Sequence, residues 1–417
     1  MNWLYNTAIR LYACAAKLAA IKSHKISKMI KGQKETLDYL TRTLDRMDMP
    51  IWVHAASLGE FEQARTLIEL IKAHDPEQKI VLTFFSPSGY EVRKNYDKVD
   101  AVAYLPFDTE DNANDFLNLL RPKMAIFIKY EFWGNYIEGL RHRGVPTFII
   151  SAIFRPKQIF FKPFGGFMRN VLKCYDHLFV QDQASADLLA SIGIERVTVA
   201  GDTRFDRVTQ IVSSPAYIAG IEKLCGGNGV DVIFGSSWHA DEIHYLGWLN
   251  SHPDVTFIIA PHEFNDHRLE LLKNGVKSGC VMYLSEYEHE FNTTGKAPEV
   301  RGLIIDSFGK LSTIYRYGKI AYIGGGFGTG IHNINEAAVY GMPIVFGPKY
   351  GKFKEAKDLI ALGGAFSVSN TIETSEILTR LTTDERARGK AAEIAKEYIK
   401  QNIGATKIIF DHIFGKR

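Results

Sequence analysis

The chain has 417 residues, 46% of them hydrophobic and 23% charged, and a formal net charge of +3 at pH 7. This length and apolar content are enough for two globular domains and exclude a disordered, collagen-like or coiled-coil protein. The charge is unevenly divided, because residues 1–34 contain seven Lys and Arg and no acidic residue, which leaves −4 for the other 383 residues. A weakly acidic body with one basic end is not typical of a nucleic-acid-binding protein, so we expect no nucleic acid as a partner.

Residues 1–34 are the first predicted element, a basic amphipathic leader. Apolar residues continue to Ile21, but Arg10 and Lys17 interrupt them and no small-residue cleavage site follows. The pattern argues against a secretory signal peptide and against a membrane span of about 20 residues. It favours a helix lying on an anionic membrane surface over the alternative, an ordinary helix packed on its own domain. The residues expected to enter the lipid are Trp3, Leu4, Tyr5, Ile9, Leu11, Tyr12, Leu18 and Ile21.

Short runs rich in Val, Ile and Phe then alternate with helix-length segments, a pattern typical of parallel sheets covered on both faces. The series occurs twice, with few strand signals between Asp206 and the Gly-rich stretch at 225–229. We therefore predict two doubly wound, Rossmann-like domains facing a cleft, residues 35–210 and 211–383, and a helical segment at 384–417. The predicted strands are 51–54, 80–84, 102–105, 124–129, 147–150, 177–180 and 197–200, then 231–235, 255–260, 281–284, 320–323 and 343–346.

Cysteine and histidine spacing predicts neither a disulfide framework nor a metal site. The four cysteines, at 14, 174, 225 and 280, are far apart and include no CxxC pair, which fits a reducing cytoplasm. His239 and His244 are five residues apart, as are His262 and His267, so neither pair shares one helical face as the two histidines of HExxH do.

Two motifs of the first domain carry carboxylates at predicted strand ends. Ser57-Leu-Gly-Glu60 follows the first strand, and it is either a capping box of the next helix or the place of a general base, Glu60, that accepts a proton from an attacking hydroxyl. Glu131 leaves an apolar strand beside Trp133. It is either a salt-bridged residue at a strand end or a residue that holds a sugar hydroxyl or orients a cationic partner.

Two motifs of the second domain suit an anionic ligand. Ser236 and Ser237 end a strand where a helix begins, so they form either a phosphate site or a plain N-cap. Further on, residues 324–330 hold five glycines in seven positions, ahead of His332 and Asn333. Glycines let main-chain amides approach a ligand closely, so this loop favours nucleotide binding over structural turns.

Taken in order, these segments resemble the 3-deoxy-D-manno-octulosonic acid (Kdo) transferase family over nearly the whole chain, as a lipid A-specific but divergent member. The segments that carry the resemblance are His54-Ala-Ala-Ser-Leu-Gly-Glu60, Tyr130-Glu131-Phe-Trp-Gly-Asn135, Gly201-Asp-Thr-Arg-Phe-Asp206, Gly235-Ser-Ser-Trp-His239, Asp306-Ser-Phe-Gly309 with Tyr315, Gly324 to Glu336, and Gly347-Pro348.

The resemblance implies a GT-B fold and an inverting glycosyltransferase of lipopolysaccharide core biosynthesis, at the cytoplasmic face of the bacterial inner membrane. Such an enzyme moves Kdo from the donor CMP-Kdo to a lipid A precursor, lipid IVA, with no metal or cofactor. It implies Glu60 as the catalytic base and an acceptor site at Ser57, Gly59 and Glu131. The residues it implies for the donor are Ser236, Ser237, His239, His262, Arg268, Gly324, Gly325, Gly326, His332, Asn333, Glu336, Gly347 and Pro348.

Several residues depart from the family pattern. The family's Pro-Arg-His is Pro261-His262-Glu263 here, so His262 or Arg268 would replace the arginine that contacts the donor. The arginine expected after the fifth strand of the first domain falls on Ile153, with Arg155 two places later. Two alternatives stay open: another GT-B enzyme, either a UDP-sugar transferase or a sugar-nucleotide epimerase, and a non-catalytic binding module.

Overall fold

The computed structural model describes residues 2–45, 48–213, 218, 220–227, 229–263 and 265–415. These residues form two units, and each has its own parallel sheet. The first unit runs to Arg207 and also contains the described residues from Ile403 onward, and the second extends from Val208 to Asn402.

In the described part of the first unit, seven parallel strands pair in the order β3-β2-β1-β4-β5-β6-β7. The strands are β1 Ile51–His54, β2 Ile80–Phe84, β3 Ala101–Tyr104, β4 Met124–Ile128, β5 Thr147–Ala152, β6 His177–Val180 and β7 Val197–Val199. The helices are α1 Asn2–Ala19, α2 His24–Thr43, α3 Leu58–His74, α4 Pro87–Arg93, α5 Glu110–Leu120, α6 Gly134–His142, α7 Gly166–Lys173, α8 Gln183–Ala190 and α9 Thr203–Ser213, which continues into the second unit.

In the described part of the second unit, seven parallel strands pair in the order β10-β11-β9-β8-β12-β13-β14. They are β8 Val230–Ser237, β9 Phe257–Pro261, β10 Val281–Tyr283, β11 Gly302–Ile304, β12 Gly318–Ile323, β13 Ile344–Phe346 and β14 Ala365–Ser367. The helices are α10 His239–Ser251, α11 Asp266–Gly275, α12 Leu284–Thr294, α13 Leu311–Ile314, α14 Asn335–Ala338, α15 Lys354–Leu362, α16 Thr371–Thr383 and α17 Glu385–Asn402. A last helix, α18 Ala405–Phe414, belongs to the first unit.

Both sheets are covered on both faces, as continuous apolar strands require. In β1, Trp52 packs in a cluster with Phe116 on one face, and Val53 packs in a cluster with Phe61 on the other. Strand order reverses beside β1 and beside β8, and ligands of doubly wound sheets bind at the carboxyl ends of strands at such points. The candidate residues that follow β1, β4, β8 and β12 therefore lie at these two switch points.

Every predicted strand overlaps an observed one, but β11 and β14 were not predicted. The unit boundary falls after Arg207, whereas the sequence predicted it after residue 210. The predicted segment 384–417 is divided, since α17 lies in the second unit and α18 in the first. There Asp206 accepts hydrogen bonds from the amides of Gly404 and Thr406, at 2.6 and 2.7 Å.

The leader covers α1 and the first half of α2, which continues to Thr43, and Ser23 caps the second helix. The seven basic residues of the leader are all exposed, as are most of the apolar residues expected to enter lipid, with Ile21 81% exposed. The prediction is wrong for Tyr5, which is half-buried and whose hydroxyl donates to Asp108 at 2.5 Å. None of the described helices is both long and apolar enough to cross a membrane.

Candidate functional site

A chain of hydrogen bonds holds Glu131 where β4 ends. Glu131 is only 6% exposed; the indole N–H of Trp133 donates to its Oε2, and Nε2 of His54 lies 3.2 Å from the same atom. The other ring nitrogen of His54 is 2.8 Å from the hydroxyl of Thr83, which already accepts a bond from the indole of Trp52. The Thr83 hydroxyl can therefore donate to Nδ1, so that Nε2 of His54 carries the proton directed at Glu131. Glu131 is therefore paired with His54 at the strand end, and this pairing leaves both interpretations of Glu131 open.

Glu60 lies half-buried in the first turn of α3, but not as a cap. Ser57 stands at the N-cap and its side chain accepts no bond from the amides of the helix, so the capping-box interpretation is wrong. The Ser57 hydroxyl donates to Oε2 of Glu60 instead. Glu60 thus lies at the positive end of the α3 dipole. Gly59, between them, is exposed.

Charged side chains surround Tyr130, the residue before Glu131. Burial raises the pKa of the Tyr130 hydroxyl, and the nearby Arg155 and Arg204 act in the opposite direction. Arg204 holds the buried Asp202 with two bonds of 2.9 and 2.7 Å. Arg155, two positions from where the family pattern places an arginine, therefore still lies close enough to lower the pKa of the Tyr130 hydroxyl. Glu60 is also near and raises this pKa.

Backbone strain marks both switch points. Lys129, directly after β4, has φ 68°, and Ser236, near the end of β8, has φ 51°. Non-glycine residues rarely adopt this left-handed conformation, which concentrates at functional sites. No pattern in the sequence indicated either residue as strained.

In the second unit, a network inside the protein already uses two predicted donor ligands. Ser237 is buried, and its hydroxyl bonds Oε1 of Glu242 at 3.2 Å and the Tyr245 hydroxyl at 2.8 Å. The guanidinium of Arg268 donates to the same buried Glu242. Arg268 therefore neutralises a buried carboxylate, and its charge is not wholly available to a phosphate. His239 differs, because its side chain is 79% exposed at the start of α10.

Three aromatic rings stack where β8, β9 and β12 end. The rings of Trp238 and His262 lie 4.4 Å apart, and so do those of His262 and His332. The indole N–H of Trp238 donates to Nε2 of His332 at 3.0 Å. Burial, with His262 nearby, lowers the pKa of His332 to about 4, so the ring is neutral at pH 7 and carries its proton on Nδ1. The structure brings His262 and His332 together, and it adds Trp238, which the sequence interpretation passed over.

The neutral state of His332 predicts a pH dependence of stability. The folded state binds the proton less readily than the unfolded state, whose histidine titrates near 6.5, so the free energy of unfolding should fall as pH drops from about 6.5 to 4. His332→Gln should flatten this slope in thermal unfolding measured across that range, whereas His239→Gln at the exposed position should not. An unchanged slope in His332→Gln would contradict the assignment. His177, with a pKa lowered to about 4, leaves part of the slope in both variants.

The glycine loop packs against backbone more than it opens toward a ligand. A Cβ on Gly324 would lie 2.1 Å from the carbonyl oxygen of Ser236, and one on Gly326 would lie 2.5 Å from the amide nitrogen of Gly347. The amide of Gly324 donates to Gly235, and that of Gly325 donates to the buried Asp241 at 2.8 Å. The loop therefore does not form the open amide cradle that five glycines predict.

The residues after the loop are more accessible. Asn333 is half-buried, and its side-chain amide donates to the carboxylate of Glu336 at 3.0 Å, so the two side chains form a hydrogen-bonded pair. Gly347 is buried and Pro348 is exposed. In the described part of the chain, no group of three His, Cys, Asp or Glu side chains is placed to hold a metal ion.

Comparison with known proteins relates the chain to one family. Residues 22–207 match the family described as "3-Deoxy-D-manno-octulosonic-acid transferase (kdotransferase)". The 3-deoxy-D-manno-octulosonic acid transferase of Aquifex aeolicus is 27% identical over 359 residues, which cover 84% of this chain and 92% of that protein.

Solved structures show the same fold at low sequence identity. UDP-GlcNAc 2-epimerase from Neisseria meningitidis bound to UDP-GlcNAc has a TM-score of 0.61 at 16% identity, over 88% of this chain and 100% of that one. MurG of Acinetobacter baumannii has a TM-score of 0.52 at 14% identity, over 87% and 99%. With the two parallel sheets, these likenesses confirm the predicted α/β fold class with two doubly wound domains, GT-B.

Proposed function

We propose that this chain, a divergent relative of the Kdo transferases, is a glycosyltransferase that moves Kdo from CMP-Kdo to the lipid A precursor lipid IVA in lipopolysaccharide biosynthesis. The observation that supports it best is the pair Ser57–Glu60 at the switch point of the first unit. A carboxylate that is not used as a helix cap and that follows a parallel strand at the carboxyl edge of the sheet supports a role as general base.

In the proposed reaction, Glu60 accepts the proton of a glucosamine hydroxyl as its oxygen attacks the anomeric carbon of Kdo. The bond from that carbon to the phosphate of CMP breaks as the new bond forms, so the configuration inverts and CMP leaves with the bonding electrons. The Ser57 hydroxyl orients the carboxylate of Glu60. Glu131, fixed by His54 and Trp133, would position the acceptor sugar, and Arg155 and Arg204 would offset negative charge on the substrates.

The second unit would bind the donor. The exposed His239, the neutral His332 and the Asn333–Glu336 pair offer hydrogen-bonding groups to CMP, and the ring of His262 offers a stacking surface. We propose Ser236, Gly324, Gly325, Gly326, Gly347 and Pro348 as residues that shape this site, with Ser237 and Arg268 supporting it through Glu242. The proposed chemistry requires no metal or cofactor.

One assay separates this proposal from its alternatives. Purified protein is incubated with CMP-Kdo and lipid IVA, and CMP release and the mass of the lipid are followed. Formation of a Kdo-bearing lipid supports the proposal. Turnover of UDP-GlcNAc without Kdo transfer would indicate a sugar-nucleotide enzyme, and binding of CMP-Kdo without any turnover would indicate a binding module.

We also propose that the leader holds the protein on the cytoplasmic face of the inner membrane, where the lipid acceptor would lie. Trp3, Leu11 and Leu18 are exposed apolar residues of α1, and all charged side chains of the leader, residues 1–34, are basic. Each basic residue near an anionic surface contributes about 1 kcal/mol to binding, and buried apolar side chains add to this.

Replacing Trp3, Leu11 and Leu18 together by Ser should release the protein from vesicles that contain anionic phospholipid, because the polar side chains gain nothing from entering lipid. Vesicle co-sedimentation measures this release, and CMP binding should not change. A matched control replaces Leu362 and Ile372, two exposed apolar residues of the second unit, by Ser. Equal vesicle binding by the triple variant and the wild type would refute the membrane role of α1.

A further inference from the structure

An apolar pocket lies between the leader and the segment that follows β2. It has a volume of about 390 Å³, and its walls include Tyr12 and Ala16 of α1, Ile26 and Met29 of α2, and Phe85. This volume lies within the range of roughly 300–1,000 Å³ that is typical of small-ligand sites. Its walls carry almost no polar groups, so they suit a ligand that makes no hydrogen bonds.

Basic residues lie at and near the pocket. Lys25 lines it, and the other basic residues of the leader are exposed on the same two helices. Acidic residues are also near, since α2 carries Glu35 and Asp38 and Lys28 lies 4.0 Å from Glu91 of α4. An apolar pocket with Lys25 in its lining is complementary to a lipid that joins a hydrocarbon chain to an anionic headgroup. An uncharged apolar ligand would gain nothing from this lysine.

Aromatic rings connect the pocket to the candidate acceptor site. The ring of Phe85 lies 6.5 Å from that of Tyr12 on one side and 5.0 Å from that of Trp133 on the other. Trp133 donates its indole N–H to Glu131. A lipid whose hydrocarbon chain fills the pocket would therefore place its headgroup near Glu131.

We propose that this pocket binds one acyl chain of the lipid acceptor. The inference rests on the proposed function, because it assumes that the acceptor is an acylated, anionic glycolipid. The acyl chain would add affinity without touching the reacting groups, and each buried methylene raises affinity about fourfold. The pocket would thus favour acylated acceptors over the same sugar phosphate without its chains.

Ala15 lines the pocket from the exposed side of α1, so Ala15→Trp should fill it while leaving the core intact. The matched control is Ala8→Trp, at an exposed position of the same helix outside the pocket. We expect Ala15→Trp to raise the KM for lipid IVA at least about tenfold, and to leave the KM for deacylated lipid IVA and for CMP-Kdo unchanged. Ala8→Trp should behave as the wild type. Equal KM values for lipid IVA in both variants would overturn the inference.

A binding measurement keeps this inference separate from the proposed function. A fatty acid that carries a photoreactive diazirine is irradiated with the full-length protein in neutral detergent, and the labelled peptides are mapped by mass spectrometry. Labelling of residues 12–29 and 85–87 in the wild type but not in Ala15→Trp supports an acyl-chain site, even if no Kdo transfer is detected. Labelling that is spread over the exposed residues of α1, or that is equal in both proteins, refutes the pocket while leaving the transfer reaction open.

Discussion

Replacing Glu60 by Gln should lower kcat for Kdo transfer by roughly 10²–10⁴-fold, the usual loss when a general base is removed. The amide keeps the size of the side chain and still offers an oxygen to the Ser57 hydroxyl, so the fold of α3 should not change. The KM for CMP-Kdo should stay within about threefold, because the proposed donor ligands lie in the second unit. Initial rates of CMP release at saturating acceptor measure the effect.

The control for this variant lies on the same helix. Glu69 binds Arg65 and Tyr96 and is not part of the proposed site, so Glu69→Gln should keep kcat. Ser57→Ala should give an intermediate loss, since it removes the bond that orients Glu60 but leaves the base in place. If Glu60→Gln retains kcat per folded molecule but melts at a lower temperature, Glu60 has a structural role only.

The variant Gly324→Ala should lose at least about 1–3 kcal/mol of stability, as overpacked positions do. Its Cβ would lie 2.1 Å from the carbonyl oxygen of Ser236 and 2.9 Å from Cα of Ser237. Both are backbone atoms, so no side-chain rotation can relieve the contact. Since Ser236 is already strained at φ 51°, the strand end has little freedom to move away. We expect a lower melting temperature and a raised KM for CMP-Kdo.

Gly328 offers the comparison within the same loop. The nearest atom to a Cβ there is 3.5 Å away, an ordinary contact, so Gly328→Ala should melt within a degree or two of the wild type. If both variants lose stability equally, the loss would come from loop flexibility and not from the close approach at Gly324. Thermal unfolding followed by circular dichroism separates the two cases.

The sequence predicted the fold well because its strands are continuous apolar runs buried on both faces. In β1 and β2, the runs at 51–54 and 80–84 coincide with the observed strands. The return of α18 to the first unit was not predictable, because there the amides of Gly404 and Thr406 donate to Asp206, about 200 positions away along the chain. Local sequence patterns depend on residues that are close along the chain, so they do not indicate contacts between residues that are far apart in sequence.

At the candidate site, the sequence predicted where the two carboxylates lie, but it did not predict their hydrogen-bond partners. Glu60 and Glu131 follow β1 and β4 as their positions predicted, because carboxyl ends of parallel strands share one edge of a sheet. The spacing Ser57-x-x-Glu60 also matched a capping box, and only the geometry shows that the serine bonds the carboxylate. The glycines at 324–326 gave a false expectation of an open cradle, because close backbone packing requires glycine as strictly as a ligand does.

The attachment of α1 has a practical consequence for anyone who shortens the chain. The Tyr5 hydroxyl accepts the amide proton of Gly134 at 3.0 Å, and the side chain of Asn6 accepts a bond from Asn135 at 2.7 Å, so the leader is tied to the residues directly after Trp133. Burial raises the pKa of Asp108 to about 7, and Tyr5 is one of the donors that favour its charged form. Removing the leader to obtain a more tractable enzyme would therefore loosen the start of α6 and alter the surroundings of Glu131. Rates measured on such a truncated protein would report changed surroundings of Glu131 as well as the loss of the proposed membrane contact.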